Sequence, residues 1–150
     1  MIKTANAQTI LDAANILKNG GLVAIPTETV YGLAARADDP QAVQRIFDIK
    51  GRPPVNPLIV HVATPDQAEL YAEMDERAKS LARQFWPGPL TLVLKLKKDS
   101  GIAPQVTAGL ETIAVRCPAH KTAQAVLKEL NIPLAAPSAN QSGALSPTRA

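Results

Sequence analysis

Lys50-Gly51-Arg52-Pro53-Pro54-Val55-Asn56-Pro57-Leu58-Ile59-Val60-His61-Val62 is the stretch on which the fold turns. Two cations stand on either side of one glycine. Three prolines follow, with Asn56 before the last, and an alternating apolar run carrying one histidine closes the stretch. Gly51 permits a tight bend because it has no Cβ. The prolines fix φ and push the residues before them toward extended backbone. The expected product is a rigid corner between a helix and a strand, with Lys50 and Arg52 turned toward a shared anion. A surface corner with unrelated charges is the competing reading.

Upstream, Asp39-Pro40 marks the start of the helix that ends at this corner, with Asp39 as cap and Pro40 in the first turn. Val43, Ile46 and Phe47 give its buried face, and the negative end of its dipole suits Lys50. Before it, residues 8–19 read as a helix with Ile10, Ala13, Ala14 and Leu17 in one stripe, stopped by Gly20-Gly21. Residues 22–25 are a short buried strand, and residues 26–33 a loop at its end, a usual place for ligand sites in α/β proteins.

Downstream, residues 58–62 form a strand with Leu58, Val60 and Val62 on one face and Ile59 and His61 on the other. Thr64-Pro65-Asp66-Gln67 has the pattern of a capping box. A helix over residues 75–85 turns Ala78, Leu81, Ala82 and Phe85 inward, and Trp86-Pro87-Gly88-Pro89 ends it. Residues 91–96 and 112–117 are strands with no helix between them. Residues 120–130 are a helix stopped by Asn131, and residues 134–136 a last short strand. Strands and helices alternate except at that one pair, which implies an α/β fold with a mixed rather than purely parallel sheet.

With 150 residues, 46% hydrophobic and 19% charged, the chain has the size and composition of one globular domain. Aromatics are only 3%, so Ala, Val, Ile and Leu must build the core. A net charge of +3 tolerates anionic substrates or RNA without demanding either. The single cysteine, Cys117, excludes an internal disulfide and a multi-cysteine zinc site. No signal peptide or membrane-length apolar run occurs, so a cytoplasmic setting without membrane contact is expected.

Neither a G-x-x-x-x-G-K-[ST] loop nor a G-x-G-x-x-G fingerprint is present. No acidic, His or Cys cluster has metal-ligand spacing, and no Ser/His/Asp triad is visible. What remains are cations, hydroxyls and amides at strand ends. Arg116 shares a small-residue strand face with Thr112 and Ala114, where it needs an anionic partner: a ligand or an internal acid. His61 is a ligand group or a satisfied core histidine. Ser138 and Asn140 follow a buried strand and suit phosphate or sugar, or ordinary turn chemistry. Thr27, Thr29 and Tyr31 carry the same two readings. Trp86-Pro87-Gly88-Pro89 reads as structural.

Five segments in order resemble the YrdC/Sua5 family of threonylcarbamoyl-AMP synthases. They are Pro26-Thr27-Glu28-Thr29-Val30-Tyr31-Gly32-Leu33; the Lys50-x-Arg52 corner with Asn56-Pro57-Leu58-Ile59; Phe85-Trp86-Pro87-Gly88-Pro89-Leu90-Thr91; Ala114-Val115-Arg116-Cys117-Pro118; and Pro137-Ser138-Ala139-Asn140 with Ser142-Gly143 and Ser146-Pro147-Thr148. The resemblance implies a twisted mixed sheet flanked by helices, with an open concave ligand site. It implies synthesis of threonylcarbamoyl-adenylate from L-threonine, bicarbonate or CO2, and ATP, releasing pyrophosphate for the t6A modification of tRNA.

It further implies that Lys50 and Arg52 are the catalytic cations on the nucleotide phosphates. Arg52, Asn56, Thr112, Ser138, Asn140 and Ser146 would contact ATP. Thr29, Tyr31, His61, Arg116 and the backbone at Ala136 would contact threonine. Mg2+ would arrive with ATP, with no protein metal site, and tRNA or proteins of the t6A pathway would be partners. The alternative it allows is a non-catalytic module binding double-stranded RNA or tRNA. Members of the family continue beyond residues 146–148, so a single domain, 1–150, without that C-terminal continuation is expected.

Overall fold

The computed structural model describes residues 1–51, 53–140 and 145–149. Along these residues run five helices and seven strands. In chain order they are α1 (Ala7–Lys18), β1 (Val23–Ile25), β2 (Gly32–Arg36), α2 (Pro40–Lys50), β3 (Ile59–His61), α3 (Pro65–Ala68), β4 (Ala72–Glu73), α4 (Glu76–Phe85), β5 (Thr91–Leu96), β6 (Thr112–Arg116), α5 (Lys121–Leu130) and β7 (Leu134–Ala135). The strands form one sheet in the order β1-β2-β7-β3-β6-β5-β4. Among the described residues β3 and β6 run parallel, and the other strand pairs are antiparallel. This is the mixed sheet that the missing helix between residues 96 and 112 implies.

Side-chain alternation divides the apolar residues between two cores. Val60, Leu92, Ile113, Val115 and Ala135 face α2 and α4, where Val43, Ile46, Phe47, Ala78, Ala82 and Trp86 close the layer. Ile25, Ala34, Leu134 and Ala136 face the opposite way, onto Ala14 and Leu17 of α1 and Ala123, Val126, Leu127 and Leu130 of α5. His61 pairs with Leu134 and with Arg116, so both polar residues lie on the α1/α5 face. That face is less fully covered over β6 and β5. Val93 and Thr112 are exposed there, and Ala114 is half-buried. Arg116 and His61 thus stand between the helix-covered part of the face and its open part.

The corner itself has clear local causes. Asp39 caps α2 by accepting from the amides of Gln41 and Ala42, and Pro40 occupies the first turn. Gly51 ends the helix in the left-handed region at φ 64°, which a residue with a Cβ enters at a cost.

Three expectations are corrected. Residues 32–36 are strand β2, inside the sheet; their Gly-Leu-Ala-Ala-Arg composition carries little β propensity, and tertiary burial decides it. Phe85 points outward and Trp86 fills the core instead, because the chain becomes extended at Trp86 and the indole Nε1–H reaches Leu90 O at 2.8 Å. At Thr64 the cap accepts from Gln67 N, but the Gln67 side chain accepts from Ala63 N and does not complete the box.

Candidate functional site

Lys50 is the last residue of α2, and its side chain is buried, with 5% exposure. Its Nζ donates to Ser138 O at 2.7 Å and Asn140 O at 2.6 Å, in the segment that follows β7. An ammonium carries three donors, and placing it against carbonyl oxygens removes much of the cost of burying it. The same segment is held from the other side by residues 31–33. Leu33 N donates to Pro137 O at 2.8 Å, Ala139 N to Tyr31 O at 2.9 Å, and Gly32 bridges Ser138. A Cβ on Gly32 would lie 3.2 Å from the Ala136 Cβ, so glycine permits this close approach.

The first half of the same loop builds a second centre. Thr27 organises it: its hydroxyl donates to Val30 O at 2.6 Å and accepts from the amides of Thr29 and Val30. The Thr29 hydroxyl, 3.0 Å from that of Thr27, accepts from an Arg116 terminal nitrogen, also at 3.0 Å. The other terminal nitrogen of Arg116 donates to a carboxylate oxygen of Glu28, and its Nε to Gly88 O at 3.3 Å. The second Glu28 oxygen accepts from Ala119 N at 2.6 Å. Arg116 is 6% exposed, so the ion pair is largely sheltered from water.

His61 lies beside Arg116 in the register of β3 and β6 and is 3% exposed. Its Nδ1 is 3.1 Å from Ile59 O, so Nδ1 carries the hydrogen and Nε2 a lone pair. Burial, and then the neighbouring Arg116 charge, lower its pKa from 6.5 to about 4. At neutral pH it is an uncharged hydrogen-bond acceptor on the same sheet face as Arg116.

Of the residues singled out from the sequence, Lys50, Ser138 and Asn140 therefore meet at one place, and Thr29, His61 and Arg116 at another. Residues 26–33 connect the two. Tyr31 belongs to this connection through its backbone, which bonds Ala139 on one side and Pro147, next to Ser146, on the other. Ala136 donates its amide to Ile59 O at 3.1 Å. Thr112 is exposed on β6, on the Arg116 face; four residues along a strand is about 13 Å. Asn56 and Ser146 are exposed, and no side-chain hydrogen bond joins them to the others among the described residues. Arg52 lies outside the described residues.

Two participants are not evident from the sequence. Glu28 stands within the loop of residues 26–33, but charge complementarity to anionic ligands points away from a carboxylate. Gly88 belongs to a segment whose composition reads as structural; its amide bonds Cys117 O at 2.8 Å and its carbonyl takes Arg116. A Cβ at Gly88 would fall 2.3 Å from Phe85 O, so no other residue fits without a backbone shift.

A family model described as Sua5/YciO/YrdC, telomere recombination, matches residues 15–150. The chain belongs to the Sua5/YciO/YrdC family. Among curated relatives it is 51% identical over 148 residues to a threonylcarbamoyl-AMP synthase of Bacillus subtilis, covering 98% of this chain and 42% of that protein. A threonylcarbamoyl-AMP synthase of Idiomarina loihiensis is 38% identical, covering 88% of this chain and 72% of that one. Among solved structures, Pyrococcus abyssi Sua5 complexed with L-threonine superposes with a TM-score of 0.92 at 50% identity, covering 97% of this chain and 43% of that one. This Sua5/YciO/YrdC chain thus spans about two-fifths of the length of the B. subtilis and P. abyssi proteins. Among its described residues, no helix is long and apolar enough to cross a membrane.

Proposed function

We propose that this chain carries the threonine and nucleotide sites of a threonylcarbamoyl-AMP synthase. The observation that carries the proposal is the loop of residues 26–33. It touches Arg116 through Glu28 and Thr29, and the backbone of Pro137 and Ala139 through Leu33 and Tyr31, so it links the two cationic centres. The likeness to a Sua5 structure complexed with L-threonine supports a threonine site on this fold, and the guanidinium of Arg116, a natural partner for a carboxylate, is the reason for giving the amino acid to that end.

In this reading Arg116 receives the threonine carboxylate. Thr29, Tyr31, the neutral His61 and the Ala136 carbonyl receive the rest of the molecule. Lys50 holds the Ser138–Asn140 segment in place. Ser138 and Asn140, with Arg52, Asn56, Thr112 and Ser146, contact ATP. The threonine amine adds to CO2 and loses a proton to give a carbamate. A carbamate oxygen then attacks the α-phosphorus, and pyrophosphate leaves with the electron pair of the broken P–O bond. The two partners of the transfer step, the carbamate and ATP, are both anions, so positioning and charge neutralisation supply most of the catalysis. Mg2+ would arrive on the ATP phosphates and help neutralise the leaving pyrophosphate. The product would serve tRNA modification, in a cytoplasmic setting.

The test is ATP-dependent pyrophosphate release that requires both L-threonine and bicarbonate and is lost in Lys50→Ala and Arg52→Ala. Full activity in either variant would overturn the roles given to these cations. Salt-sensitive tRNA binding, unchanged by ATP and threonine and without pyrophosphate release, would replace this reading with the RNA-binding one.

A further inference from the structure

We infer that Glu28 is a positioning residue for recognition of the amino-acid carboxylate, acting through Arg116. This deepens the proposed function and rests on it. Glu28 is not a passive counter-ion, because both of its oxygens are engaged with different parts of the fold. One accepts from Arg116 at the end of β6, and the other from Ala119 N, just before α5. The carboxylate therefore spans the turn between β6 and α5 and is fixed at both ends. Thr29, its sequence neighbour, takes the other terminal nitrogen of Arg116, and Gly88 takes Nε. Three acceptors from two loops hold one planar group.

A guanidinium has five N–H donors. Glu28, Thr29 and Gly88 use one on each nitrogen, which leaves one N–H on each terminal nitrogen for a further acceptor. The facing pair of terminal N–H groups is the fork that takes a carboxylate through two parallel bonds in a fixed plane. Without Glu28 the guanidinium would keep its charge and lose the contact that sets its rotation. The charge alone would still attract an anion, but without defined geometry. Glutamate meets a narrow requirement here, since two donors from separate segments need two acceptors on one side chain. Glutamine offers one acceptor and sets an NH2 group against the other donor. Aspartate keeps the charge and is one methylene too short to span both.

Titration calorimetry on this chain with L-threonine, and with L-threoninol as a probe that lacks the carboxylate, tests the inference. Glu28→Gln and Glu28→Asp should each weaken L-threonine binding at least fivefold and leave L-threoninol binding within twofold of the unsubstituted chain. A purely structural role would weaken both probes together and would overturn the inference. Unchanged or tighter L-threonine binding in the two variants would also overturn it, since Glu28 would then be neutral or a competitor for Arg116. Glu28→Asp retains the ion-pair charge and serves as the folded control if Glu28→Gln does not fold. If the unsubstituted chain binds no L-threonine at all, the underlying reading fails and the inference with it.

Discussion

Lys50 and Arg116 are buried to nearly the same degree, yet they are held by different kinds of acceptor. Lys50 ends a helix and reaches two backbone carbonyls 88 and 90 residues away in sequence. Arg116 ends a strand and meets a carboxylate, a hydroxyl and one carbonyl. The first arrangement fixes the path of the chain, because carbonyls belong to the backbone of the segment that carries Ser138 and Asn140. The second fixes the orientation of a side chain, because its main partners are themselves side chains on one loop. A buried cation can therefore set the path of a loop in one place and be held in a fixed orientation in the other.

The largest effect is expected of Arg116→Met. It leaves the Glu28 carboxylate without its cation, and removing one partner of a sheltered pair costs about 3–5 kcal/mol. Glu28 is partly open to water, so about 3 kcal/mol of lost stability is expected in urea denaturation. A loss below about 1 kcal/mol would mean the pair behaves as a surface one. Lys50→Met should cost about 2–3 kcal/mol, from two charge-assisted bonds to carbonyls. It should also speed hydrogen exchange selectively around residues 137–140. Faster exchange at the Arg116 end instead would show that the two cations are not divided in this way.

Acid should act on one end only. The pKa of His61 falls from 6.5 in the unfolded chain to about 4 in the folded one, so between these values the unfolded state binds more protons. The stability due to neutral His61 is complete above pH 6.5, is lost as pH falls, and stops changing below about pH 4. From pH 7 to 5 the loss amounts to about 2 kcal/mol, and it should vanish from the difference between the native chain and His61→Asn if the histidine is not responsible. The smallest effect belongs to Thr29→Val, which removes one hydroxyl acceptor from Arg116 and should cost about 1 kcal/mol. Its L-threonine affinity should fall while the exchange behaviour of residues 137–140 stays unchanged.

The helix ends were legible because their causes are local. Asp39-Pro40, Gly51 and Asn131 each specify a boundary through the backbone conformation and hydrogen bonding of a few neighbouring residues. The mixed sheet followed from a missing helix, a matter of chain length alone. Strand β2 was not legible, since Ala34 and Ala35 become strand residues only when β1 and β7 flank them. The outward turn of Phe85 was hidden for a similar reason: helical periodicity cannot show that the next residue, Trp86, has a better place in the core.

Order and spacing alone put cations, hydroxyls and amides at the ends of predicted strands, which is as far as a linear pattern reaches toward a candidate site. The partners themselves come from the folding of distant segments onto one another. Lys50 finds carbonyls, Arg116 finds Glu28, and His61 stays neutral beside it, because these contacts join segments far apart in the chain. Their energies depend on burial and distance, which a linear pattern does not contain.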